Sequence, residues 1–220
     1  MNPKNRTPLI IGAVVVLVLV LAGVAVLLTG GDDDGRADSP PVPTFGPDVE
    51  QSRPVTFTGD PLPTLVDEVN DAAVGLSAPV VVGETFDGRP VTIGEGTGSP
   101  TLLVFLAHWC PHCNAEVPEI IDASLDGHLP DGLDVVGIST SAEPKAPNYP
   151  PSEWVVKKGW LWPVLTDDAN STAIGVYGGP AFPYMVLLDG DGTVVARRTG
   201  EAGAEALGDW VSERLAAAAA

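Results

Sequence analysis

The sequence predicts an α/β fold, a mixed sheet flanked by helices, preceded by one N-terminal transmembrane helix and a flexible linker. Three observations carry that expectation. From Leu9 to Leu28 every residue is Leu, Ile, Val, Ala or Gly, and a helix of that length rises about 30 Å, one hydrocarbon core. Thr101 to Ala107 (TLLVFLA) is a nearly unbroken apolar run after Gly98-Ser99-Pro100, the pattern of a central, parallel strand buried on both faces. Beyond it strands alternate with helical patterns before a hairpin and a closing helix, as in sheets covered by helices.

Lys4 and Arg6 precede the apolar run, and Asp32, Asp33 and Asp34 follow it. The positive-inside rule then puts residues 1–8 in the cytoplasm, 9–28 in the membrane and the remainder outside. A secretory signal peptide has a shorter apolar stretch, about 7 to 15 residues, so the run reads as an anchor that is kept. Residues 29–53 are rich in Gly, Asp, Ser and Pro without periodicity and read as a tether. Residues 54–77 form an extension in which Val55 to Phe57 suggests a strand and Leu65 to Val74 a short amphipathic helix. The compact domain is expected over 78–216. Its hairpin is signalled by Ala78 to Val82 and Pro90 to Ile93 around Asp87-Gly88.

After the central strand, Val117, Ile120, Ile121 and Leu125 make one stripe of a helix that starts at the Cys-Pro step and stops near Gly127. Leu133 to Ser139 supplies the next strand, and Glu153 to Lys158 a short helix. Tyr184 to Leu188 and Thr193 to Ala196 form a hairpin about Asp189-Gly190-Asp191-Gly192, and Ala202 to Leu215 closes the chain as a helix. Trp154, Trp160 and Trp162 are expected in a satellite core rather than in a groove. The formal net charge of -18 repels phosphate backbones, which argues against nucleic acid as a partner.

The two cysteines stand in His108-Trp109-Cys110-Pro111-His112-Cys113. A disulfide across two residues closes too small a loop to constrain the unfolded chain much, so reversible redox chemistry explains the spacing better than a structural staple. With Cys110 capping the helix and Pro111 in its first position, the Cys110 thiolate meets unpaired N–H groups and the positive end of the dipole. Cys110 is expected to attack, and Cys113, one turn on and more buried, to resolve the mixed disulfide. Zinc would need four ligands around a tetrahedron, and these residues crowd together with no second pair elsewhere. Haem attachment needs His where Asn114 stands, and a copper carrier would need a Met or His cluster. No cofactor or metal is implied, because the sulfurs carry the redox change themselves.

From about Ala78 onward the chain resembles the TlpA/ResA-like thiol-disulfide oxidoreductases, thioredoxin-fold proteins related to the AhpC/TSA superfamily. The residues that carry the likeness are the apolar strand into Ala107 to Cys113, then Asn114 to Pro118, then Phe182-Pro183-Tyr184 leading a strand into Asp189 to Gly192. The resemblance implies a cis-proline at Pro183 facing the cysteines, a client groove bordered by Trp109, Phe182 and Pro183, and proton transfer through Glu116. It implies a kink at Pro118. It departs from the family in the Pro111-His112 dipeptide, which is similar to that of the oxidising DsbA proteins, where histidine favours the reduced state. Pro111, His112 and Glu116 are therefore the candidate tuning or proton-transfer residues, and His108 is expected to be partly exposed. Peroxiredoxins have Thr or Ser at the position of Ala107. Implied partners are protein thiols or disulfides outside the cytoplasmic membrane and a membrane redox partner. A TlpA-like reductase, a DsbA-like oxidase and a tethered binding or metal-carrier module with an idle Cys-x-x-Cys remain the readings.

Overall fold

The computed structural model describes residues 44–46 and 48–220. Its centre is β4 (Thr101–Leu106), whose apolar run is buried on both sides. Leu102, Val104 and Leu106 enter one apolar cluster, while Leu103 and Phe105 enter another on the opposite face. β4 runs parallel to β5 (Asp134–Ser139) and antiparallel to β7 (Tyr184–Leu188). The central strand is thus parallel on one side only. β6 (Val164–Thr166) runs parallel to β5, and the 17 residues after it return the chain to the same end of the sheet, so β7 starts where β6 stops. With β1 (Thr56–Thr58), β2 (Val80–Glu84), β3 (Pro90–Ile93) and β8 (Val194–Thr199), the order is β1-β2-β6-β5-β4-β7-β8, and β3 pairs with β2.

One face of the sheet is covered by α1 (Pro111–Leu125), α2 (Pro151–Lys157) and α4 (Ala204–Ala218), which bury Cys113, Val117, Ile120, Trp154, Leu207 and Val211 against it. α3 (Thr172–Val176) and the coil that carries Leu62, Leu65 and Ala73 cover the other. Trp154 and Trp160 are buried and Trp162 packs against the same cluster, so the tryptophans build core. Gly137 lets the Trp160 ring pack closely there, since a Cβ on it would stand 3.0 Å from the ring and push it back by a few tenths of an ångström. In α1 the stripe ends early: Leu125 is 54% exposed, and Cys113, Glu116 and Ala123 are the further buried residues.

The stretch Leu65 to Val74 is not a helix. Asp67 accepts from the amides of Val69 and Asn70, and Asp71 from that of Ala73, turn bonds that compete with a helix for the backbone. The Leu62 and Leu65 amides donate instead to Val176 and Gly178. The domain also starts well ahead of residue 78. Residues 48–53, expected in the tether, are fastened to it: the Glu50 amide donates to Phe86 O, Gln51 exchanges two hydrogen bonds with Ser152, and Arg53 pairs with Glu84. Polar anchors leave no periodicity to read. Among the described residues no helix is long and apolar enough to cross a membrane. The Leu9 to Leu28 run, with residues 1–8 and most of 29–53, lies outside them.

Candidate active site

β4 delivers the chain to Ala107, and a turn in which the Cys110 amide donates to Ala107 O at 3.0 Å sets up α1. Cys110 is the N-cap residue, extended at φ -72° and ψ 122°, with Pro111 just inside the helix. Its side chain makes no cap hydrogen bond, which leaves the sulfur at the positive end of the helix. The thiol points at the carbonyl of Phe182, 3.8 Å away. The Phe182–Pro183 peptide is cis, and the loop that holds it sits between α3 and β7. Cys113 lies one turn on and is fully buried. Both thiols are free. Burial pushes the Cys113 thiol far above its ordinary value, and the charges of Cys110 and Glu116 add to that.

Glu116, one turn beyond Cys113, has no solvent exposure. Its Oε2 accepts from the Ala202 amide at 2.9 Å, while Oε1 has no hydrogen-bond partner among the described residues. Burial raises the carboxyl above its ordinary value against the pull of the Ala202 and Gly203 amides and of Arg198. Pro118 lies within α1 and cannot bond the carbonyl of Asn114, four residues back. Lys158 takes that carbonyl instead, Nζ to O 2.7 Å. The Asn114 side chain donates to the carbonyls of His108 and Cys110 and accepts from Trp154.

His108, expected partly exposed, is buried. Its Nδ1 meets Pro147 O at 2.8 Å and its Nε2 accepts from the Glu143 amide at 3.1 Å. Burial lowers its pKa below the ordinary histidine value. The neutral ring therefore pins the loop after β5 to the turn that leads into α1, which gives it a structural use. Trp109 ties to the same loop, Nε1 to Ser141 O 2.9 Å, and meets the Phe182 ring edge-on at 5.8 Å. Trp109, Phe182 and Pro183 thus border Cys110 together. His112 is exposed and bonded through Nδ1 to Glu201 at 2.6 Å. Glu201 and Arg198 carry no mark in the sequence, and Asn114 stands out there only as part of the family likeness. Glu201 is 89 residues from its partner, and nothing in a local pattern announces such a pairing.

The Redoxin family model matches residues 58–209. The chain is 34% identical over 133 residues to the methylamine utilization protein MauD of Methylobacillus flagellatus, covering 56% of each. It is 25% identical over 134 residues to the sporulation thiol-disulfide oxidoreductase A of Bacillus subtilis, covering 61% of this chain and 79% of that one. The thioredoxin domain of a thiol-disulfide oxidoreductase from Bacteroides vulgatus matches at a TM-score of 0.52 and 20% identity, over 65% of this chain and 98% of that one. The chain therefore spans little more than half the length of MauD. The structural likeness shows a thioredoxin fold.

Proposed function

The chain belongs to the Redoxin family, and from that premise we propose that it is a thiol-disulfide oxidoreductase exchanging disulfides with protein thiols through Cys110 and Cys113. The observation that carries the reading is the pair of free thiols at the start of α1, one facing the Phe182 carbonyl and the other buried behind it. In the reducing direction the Cys110 thiolate attacks a client disulfide, and one client sulfur leaves as thiolate. Cys113 then gives its proton to Glu116 and attacks the Cys110 sulfur. The second client thiolate departs, two electrons have passed to the client, and Cys110 and Cys113 are joined. An extended client segment beside Phe182 could pair with its backbone while Trp109 and Pro183 border the entry.

The TlpA-like reductase is the favoured direction. The case for a DsbA-like oxidase rests on a positive His112 beside the thiolate, and Glu201 offsets that charge. The proposal includes an anchor at Leu9 to Leu28, a domain outside the cytoplasmic membrane, and a membrane partner that re-reduces Cys110 and Cys113. Replacing Cys113 with Ala in the full chain is expected to trap clients as mixed disulfides on Cys110, seen as bands that disappear on reduction. A tethered binding module would give none and keep its partner. The reduction potential sets the direction: a value near the roughly -270 mV of thioredoxin fits a reductase, and one near the roughly -120 mV of DsbA fits an oxidase.

A further inference from the structure

Two buried polar atoms lack a hydrogen-bond partner among the described residues: Glu116 Oε1, one turn along α1 from the resolving cysteine, and Arg198 Nε. They are of opposite charge and grip the same peptide unit from its two ends. Glu116 Oε2 accepts from the Ala202 amide, and Arg198 Nη2 donates to the Glu201 carbonyl at 3.4 Å. The guanidinium also lies over the Trp210 ring of α4, 5.4 Å from its centre, so packing holds it on this face of the sheet. The other charged groups around Glu116 are Glu119 and Cys113 on its own helix. Glu119 is engaged by the Ala204 amide, and Glu201 turns its side chain to His112. Arg198 is thus the one cation among the groups that act on Glu116.

We propose that Arg198 is a positioning residue for the resolving step, the counter-charge that keeps Glu116 in the carboxylate form able to take the Cys113 proton. The inference rests on the disulfide-exchange reading above. The carboxylate of Glu116 receives the thiol proton of Cys113, the Cys113 sulfur bonds to that of Cys110, and the leaving thiolate takes the electron pair of the broken S–S bond. Without the guanidinium, burial acts on Glu116 unopposed by a cation. A smaller fraction of the carboxyl is then ionised at neutral pH, and the resolving step slows.

Dithiobis(nitrobenzoate) separates the steps in the reduced full chain, whose only thiols are Cys110 and Cys113. Attack by Cys110 releases one coloured nitrothiolate, and attack by Cys113 on the mixed disulfide releases the second. Arg198→Gln is expected to slow the second release roughly 3- to 10-fold at pH 7 and to move its pH profile upward by up to about one unit. The first release should be unchanged. Arg198→Lys should recover most of the rate. In a Glu116→Gln background, Arg198→Gln should add nothing. Arg198→Met, which keeps the apolar stem over Trp210, serves the same comparison should the glutamine variant not fold. A second release unaltered in rate and pH profile overturns the assignment, as does an equal slowing with or without Glu116. Absence of any second release from the wild-type chain would instead sink the exchange reading itself.

Discussion

Arg197 and Arg198 are neighbours on one strand with opposite fates. Between Leu187 and Leu188 of β7 the register with β8 shifts, Leu188 facing Val194 and Leu187 facing Ala196. The extra residue, Val195, resets the alternation of side chains. Arg197 then falls opposite Val186 on the α3 face, and Arg198 opposite Met185 on the α1 face. Arg197 is saturated: Nε and Nη2 clasp Asp71, and Nη1 donates to Pro63 O, Tyr177 O and the Tyr184 hydroxyl. Arg198 keeps a buried N–H unpaired beside a carboxylate that is itself half satisfied. A charge with every partner filled holds structure. One left short of partners, acting on the carboxylate that is to take the proton of Cys113, is placed to respond.

The comparison breaks most sharply at Asp71. Removing it leaves the Arg197 guanidinium buried and unpaired, and breaking a buried pair in this way costs about 3–5 kcal/mol. Asp71→Ala is expected to lose stability of that order in urea unfolding while leaving the two thiol-release rates of the folded fraction unchanged. Burial works to raise the Asp71 carboxyl, but the Arg197 and Ala73 hydrogen bonds outweigh it and hold the group below its ordinary value. Its contribution is thus present above the unfolded-state value, about pH 4, and is lost as pH falls through the folded one. A mutant as stable as the wild type at pH 7 would mean that the clasp is ornamental.

The clasp was invisible in the sequence because Asp71 and Arg197 are 126 residues apart. What was legible was what periodicity and turn chemistry report: β4 and its entry into α1, the β2–β3 and β7–β8 hairpins, and the closing helix. β6 has three residues and α3 five, too few to show a period, and α3 is capped from outside by Asp167, whose Oδ1 accepts from the Ala173 amide. Cys110 and Cys113 were read from spacing, and Glu116 and Pro183 from the family likeness. The contacts that surround them, Glu201 with His112 and Asn114 with Trp154 and the His108 carbonyl, are assembled by folding alone.

Glu116 gives the second contrast with Asp71, and the sign reverses. Its folded-state value is raised by burial, so its favourable contribution is complete below the unfolded-state value, about pH 4, and is lost as pH rises through the folded one. Glu116→Gln should therefore be more stable than wild type at pH 8 and equal to it near pH 4. The same variant should resolve mixed disulfides more slowly. Stability gained with rate lost is what a group kept for proton transfer predicts. Urea midpoints that differ equally at both pH values would reduce Glu116 to packing.

The weakest effect belongs to the pair of His112 and Glu201, which has the shortest contact at the site and the most water around it. The side chains are 67% and 46% exposed, and exposed ion pairs contribute about 0–1 kcal/mol. On a two-electron couple that ceiling corresponds to about 20 mV. Glu201→Gln should therefore raise the reduction potential by no more than about 20 mV, because a carboxylate that opposes the Cys110 thiolate has been removed. In a His112→Ala background the increment should shrink, since the histidine no longer holds the carboxylate against the active-site turn. Equilibration of the full chain with glutathione reads both changes. A shift several times larger would place the control of the redox poise at this surface pair, and the buried Glu116 and Arg198 would then govern the speed of exchange without setting its direction.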